Sequence, residues 1–246
     1  MAFTLLVSLV AAIAGAIASV AGFGIGSLLT PTFGIGMSTN LAVAAVSIPH
    51  FIGTAVRFWS MRESVNRHVV IAFGLTSAGG GLAGALLQRV TSTPWLTIVF
   101  GIVLIFVSIS ELTGLTRRMR FHGAAAWIAG AASGLLGGLI GNQGGIRSAA
   151  LLGFELPKES FIASATAIGL IVDSARMPVY IASMSRDMAA IWALIGVATL
   201  SVVAGTLYGR HLLDRIPESQ FRRIVAVLLA LLGAAMLAKG QSHLGG

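Results

Sequence analysis

The sequence predicts an all-α polytopic membrane protein built from two inverted repeats. Each repeat is a re-entrant (broken) helix hairpin followed by three transmembrane helices. Composition, an internal duplication and the distribution of positive charge carry that prediction. Apolar residues make up 56% of the 246-residue chain and charged residues only 10%, against about 25% charge in soluble domains. So little charge cannot cover a water-exposed globule. The 31 glycines suit transmembrane helices, which approach one another through small side chains. The absence of Cys excludes disulfides, thiolate metal sites and Cys nucleophiles. The net charge of +8 reads as topology, not as a nucleic-acid footprint, because the basic residues sit in short loops between apolar spans. Met1-Ala2-Phe3-Thr4 places no basic region before the first apolar run, unlike a cleaved signal peptide.

The duplication has an offset of 119: Gly15, Gly22, Gly26 and Gly34 fall on Gly134, Gly141, Gly145 and Gly153, and Arg57 falls on Arg176. Further on the offset drifts to 121, pairing Ala83-Gly84 with Ala204-Gly205. The repeats are therefore 1–119 and 120–246. Duplicated glycine-interrupted apolar segments in a membrane protein point to a transporter whose site lies where the interruptions meet.

The elements follow in order. Hairpin 3–34 opens the first repeat, followed by spans 41–58, 69–88 and 95–114. Hairpin 123–153 opens the second, followed by spans 161–182, 188–208 and 221–238. The six plain spans are near the ~20 residues that cross a bilayer. Trp59, Trp95 and Trp192 lie at or near their ends, where amphipathic rings favour the interface. Each opening segment is about 31 residues, too long for one crossing at ~1.5 Å per residue and too short for two. Glycines sit in the middle, at Gly22-Phe23-Gly24-Ile25-Gly26 and at Gly137-Gly138 through Gly144-Gly145. Two half-length limbs around an apex fit, as does one broken helix followed by an extended loop.

Charge decides between them. If each opening segment crosses once, the Lys and Arg outside the membrane divide eight against six. If each returns to its own side, they divide eleven against three, with only Arg89, Arg186 and Lys239 on the poorer side. That bias fits the positive-inside rule. It places both termini outside the cytoplasm and inverts the repeats.

Polar residues inside a membrane need a reason. Ser47, His50, Thr54 and Arg57 share one helical face through spacings of 3, 4 and 3. The matching positions are Thr166, Gly169, Asp173 and Arg176. Both stripes would line a central cavity; the alternatives are polar glue between helices, or Arg57 snorkelling to the interface. Asp173 and Arg176 can pair at i, i+3, and Asp173 or His50 could couple a proton. Pro49 would free a backbone carbonyl nearby.

The glycine apices are the stronger candidates. Unpaired backbone N–H groups at a helix N-terminus make an anion site. Asn142 and Gln143 add amide donors in the second copy, and Arg147 adds a fixed charge suited to oxyanions. The competing reading is that the glycines only permit close helix crossing. Arg57, Arg147 and Arg176 against the lone Asp173 favour an anionic guest over a divalent metal. No nucleophile elbow, zincin motif or Walker loop is present, so an enzyme or ATP-driven pump is not expected, and no cofactor.

The runs Ala18-Ser19-Val20-Ala21-Gly22-Phe23-Gly24-Ile25-Gly26 and Ser133-Gly134-Leu135-Leu136-Gly137-Gly138-Leu139-Ile140-Gly141-Asn142-Gln143-Gly144-Gly145 resemble those of the sulfite exporter TauE/SafE family of membrane permeases. The resemblance covers essentially the whole chain. It implies a bacterial inner-membrane carrier for sulfite, thiosulfate or organosulfonates, with Gly22, Gly24, Gly26, Gly141, Gly144 and Gly145 as the motif glycines. The isolated glycines of the first copy, and Asn142, Gln143 and Arg147 in the second, depart from the usual pattern.

The functional expectation is a secondary transporter, an exporter of small sulfur oxyanions working by alternating access, one half rocking against the other. The anion would sit between the apices, with Arg57 and Arg176 attracting it to each entrance. A passive small-anion channel and a non-transporting scaffold are the alternatives. The partners read from the chain are the bilayer and the anion, with proton coupling and homo-oligomerisation left open; nucleic acid is not among them.

Overall fold

The computed structural model describes residues 1–91, 93–115, 123–141, 144, 147–148, 151, 154–213 and 218–242. Asn142, Gln143 and Gly145 lie outside them. No strand occurs among the described residues. The helices are α1 (Ala2–Ala21), α2 (Ile25–Gly36), α3 (Thr39–Met61), α4 (Arg67–Gln88), α5 (Thr93–Thr113), α6 (Ala124–Ile140), α7 (Lys158–Ala190), α8 (Trp192–Leu213) and α9 (Glu218–Ser242). Seven of the described helices are long and apolar enough to cross a membrane; α2 and α6 are shorter.

The first opening segment is broken where its glycines predicted. Gly22 ends α1 in the left-handed region (φ 78°), its N–H returning to the Ala18 carbonyl at 3.0 Å. Gly24 (φ 137°) then starts α2. Side-chain-bearing residues rarely adopt such values. The limbs fold back on one another: a Cβ on Gly36 would lie 2.8 Å from the Phe3 ring. They are unequal, not both half-length. At ~1.5 Å per residue, α1 is about 30 Å long and α2 about 18 Å. The apolar run before Gly22 has no breaker, so nothing shortens α1. In the second copy Gly141 ends α6 in the same conformation (φ 74°), its N–H on the Gly137 carbonyl at 3.0 Å.

The two halves of the chain interleave. Ser8 meets Ser201, Ala12 meets Gly205 and Ala16 meets Gly209, so α1 runs parallel to α8. Ser77 meets Gly130, Gly81 meets Gly134 and Gly138, and Gly84 meets Leu135, so α4 runs parallel to α6. The third segments, α4 and α8, carry no polar stripe. They supply the closest backbone seams instead, where a Cβ on Gly84 or Gly205 would lie 2.2 or 2.0 Å from a carbonyl oxygen. Small residues permit that approach where lipid gives helices no hydrophobic drive to associate. The final helices of the repeats, α5 and α9, pair in opposite directions, with Ile98 near Gly240, Gly101 near Leu237 and Ser108 on the Ala226 carbonyl. Helices α3 and α7 are also antiparallel and hold the centre.

Candidate functional site

Helix α3 runs unbroken through Pro49; Ser47, His50, Thr54 and Arg57 on one of its faces are all buried, and His50 and Arg57 reach α7. Helix α7 answers with Thr166, Gly169, Asp173 and Arg176, also buried. The spacings that made these residues one face in the sequence bring both stripes together at the α3–α7 crossing.

Two layers of hydrogen bonds result. In the first, Arg57 Nε donates to Thr166 Oγ1 at 2.8 Å and Arg57 Nη1 donates to the Ala18 carbonyl at 2.7 Å. In the second, Arg176 Nε donates to Asp173 Oδ1 at 2.9 Å, with Nη2 2.8 Å from the same oxygen. Arg176 Nη1 donates to the Gly137 carbonyl. Asp173 Oδ2 meets His50 Nδ1 at 2.5 Å, joining the layer to α3. Ala18 and Gly137 are matching positions, 119 apart, as are Arg57 and Arg176. Each arginine thus holds the carbonyl that receives the helix-ending glycine N–H, the negative end of a helix dipole.

These arginines do not stand at entrances. Arg57 is 4% exposed, Arg176 1%, Asp173 0% and Arg147 3%. The i, i+3 pairing of Asp173 with Arg176 is present. Ser47 donates to the Ala44 carbonyl at 2.6 Å. Tyr180, fully buried, donates to the Gly138 carbonyl. It was missed from the sequence, although it extends the 173–176 stripe by one further turn.

The apices meet. A Cβ on Gly26 would lie 2.2 Å from the Gly141 carbonyl oxygen, and one on Gly144 would lie 2.5 Å from Phe23 Cβ. His50 Cδ2 is 3.7 Å from the same Gly26 position. Gly26 with Gly141, and Gly144 with Phe23, form the contact; Gly22 and Gly24 flank Phe23 in sequence, their own nearest neighbours being Ile162 and Ile17. The buried start of α2 has no side-chain cap. Thr30 Oγ1, buried beside Gly141, has no hydrogen-bond partner among the described residues. Arg147 Nε and Nη1 likewise have none. The Arg147 guanidinium rests on Gly169, its Nη1 3.0 Å from where a Cβ there would stand.

Apolar helices of membrane-crossing length, interrupted helices meeting inside the bundle and buried unpaired cationic donors define a multi-pass membrane protein of the transporter class. The chain matches the model of the Sulfite exporter TauE/SafE family over residues 7–236, nearly its whole length, and it belongs to that family. No curated protein and no solved structure matches it.

Proposed function

We propose that the protein is a secondary transporter, an exporter, of small sulfur oxyanions such as sulfite or organosulfonates across the bacterial inner membrane. Access alternates about an anion site at the apices. The observation that carries the reading is Arg147: a buried guanidinium with two nitrogens unpaired among the described residues, resting on Gly169 of α7. The uncapped α2 N-terminus and the unpartnered Thr30 hydroxyl lie at the apex contact with Gly141; Asn142, Gln143 and Gly145 belong to the same segment as Arg147 by sequence. A cation that lacks an acid and aligned N–H donors suit an anion.

The repeats, 1–119 and 120–246, are read as inverted, with both termini outside the cytoplasm. Antiparallel pairing of the matching helices α5 and α9 supports this, because equivalent helices then cross in opposite senses. His50 and Asp173, joined across the two repeats, are the proton-coupling pair, since protonating the carboxylate would loosen that link. The touching apices favour alternating access over an open anion channel.

The test is transport in liposomes together with thermal unfolding of the purified protein. Sulfite or thiosulfate should raise the melting temperature by mass action, and flux should saturate and show counterflow. Arg147→Ala should abolish both responses. Unchanged flux and ligand shift in that variant would refute the assignment.

A further inference from the structure

The duplication is broken at three buried positions that lie together. At the offset of 119, His50 corresponds to Gly169, Thr54 to Asp173 and Leu28 to Arg147. One layer, built by Arg176 and Asp173 with His50 from the other half, is complete. Arg176 holds its carbonyl, Asp173 neutralises Arg176, and His50 closes the far side of the carboxylate.

In the other layer Arg57 holds the matching carbonyl, but no acid hydrogen-bonds to it among the described residues; Asp173 acts on it only at longer range. Thr54 occupies the place of Asp173. Its hydroxyl, on a residue with 0% exposure, has no hydrogen-bond partner among the described residues. Gly169 occupies the place of His50, and the room it leaves is filled by the Arg147 guanidinium. Arg57 holds Thr166, one turn from the Gly169 on which Arg147 rests; the two arginines act on one another, and Asp173 reaches both without bonding to either. The layer therefore contains two buried cations and a spare hydroxyl donor. It is the Asp173 layer with the carboxylate left out. Burying charge without a counter-charge is unfavourable, and a donor set already built around one absent anion is what a binding site requires.

We infer that Thr54, Arg57 and Arg147 form the seat of a doubly charged oxyanion, which takes the place that Asp173 fills in the other repeat. The inference rests on the anion-transporter reading and adds the position and charge of the guest. Asp173 is already matched by Arg176, so Arg57 and Arg147 leave two positive charges for the anion to balance. Its oxygens would accept from the Thr54 hydroxyl and from both guanidinium groups.

The experiment is thermal unfolding of the full-length protein with thiosulfate, a dianion, and methanesulfonate, a monoanion. Wild type should be stabilised more by thiosulfate. Thr54→Asp places the protein's own carboxylate in the seat. It should raise the melting temperature without ligand and abolish the thiosulfate shift. Thr54→Val, which keeps the shape and loses the donor, should weaken thiosulfate binding about tenfold or more; it decides the matter if Thr54→Asp does not fold. A full thiosulfate shift in Thr54→Asp, or unchanged affinity in Thr54→Val, overturns the seat while the transporter reading stands. A stronger response to methanesulfonate overturns the charge assignment. A wild type stabilised by no sulfur oxyanion overturns the transporter reading and the seat with it.

Discussion

Arg176 and Arg57 do the same structural work in the two repeats, each holding the carbonyl four residues before a helix-ending glycine. Their surroundings differ. Arg176 is neutralised by Asp173, which is itself held by His50. Arg57 has only neutral partners, a carbonyl and the Thr166 hydroxyl. The layer around Arg176 is closed by Asp173 and by His50 from the other half, whereas the layer around Arg57 keeps the carbonyl clamp with no bonded acid among the described residues. The helix-end clamp occurs twice, at matching positions 119 apart, and the two layers differ at Thr54, Gly169 and Arg147, the residues of the proposed seat.

That contrast can be broken most directly at the arginines. Arg176→Ala leaves Asp173 buried without its main cation and should cost about 3–5 kcal/mol, read as a large fall in melting temperature in detergent. Arg57→Ala strands no acid. Its expected cost is about 1–3 kcal/mol for the lost hydrogen bonds, accompanied by loss of the response to anion. Equal destabilisation by the two changes would erase the distinction between the layers. At the apices, Gly26→Ala forces a methyl toward the Gly141 carbonyl. It should destabilise by about 1–3 kcal/mol and impair flux in liposomes, because the apices can no longer close. The smallest effect is expected at Gly79, where a Cβ would meet nothing within 4 Å. Gly79→Ala should gain about 0.5–1 kcal/mol from helix propensity. Its neighbour Gly80→Ala, 2.1 Å from the Ala131 carbonyl oxygen, should lose stability in the same assay.

Much of this was legible in the sequence, for physical reasons. Apolar length and glycine breaks announce interrupted helices, and the spacing of 3 and 4 puts Ser47, His50, Thr54 and Arg57 on one face. The i, i+3 pair Asp173–Arg176 could be read in the same way. The clamp on Ala18 and Gly137 could not, because a carbonyl acceptor leaves no mark in side-chain identity. Nor could the meeting of His50 with Asp173, which needs the relative placement of α3 and α7. Arg57 was therefore expected at an entrance, where its charge could act on solvent. The structure buries it on a helix end, where that same charge satisfies a backbone dipole. Tyr180 was overlooked because its acceptor is also a backbone group. The unequal limbs of the first hairpin follow from the position of Gly22, late in its apolar run, and the run's length alone could not show this.

The interleaving of the repeats bears on motion. Because α1 is seated on α8 and α4 on α6 through near-backbone contact, the repeats do not part as two separate bodies. In the proposed alternating-access cycle, movement falls to the elements that meet at Gly22, Gly24 and Gly141, the short limb α2 first among them. Engineered crosslinks between α1 and α8 should leave flux intact, whereas crosslinks between α2 and α6 should stop it.

The seam between α1 and α8 also bears on biogenesis. Ser8 finds its neighbour only when Ser201 has been made, so α1 waits for a helix synthesised much later. At about 5–20 residues per second, that delay is roughly ten to forty seconds. Until then a glycine-bearing groove faces lipid or the insertion machinery, and nascent chains ending before α8 would be left with an unmated surface for quality control to recognise.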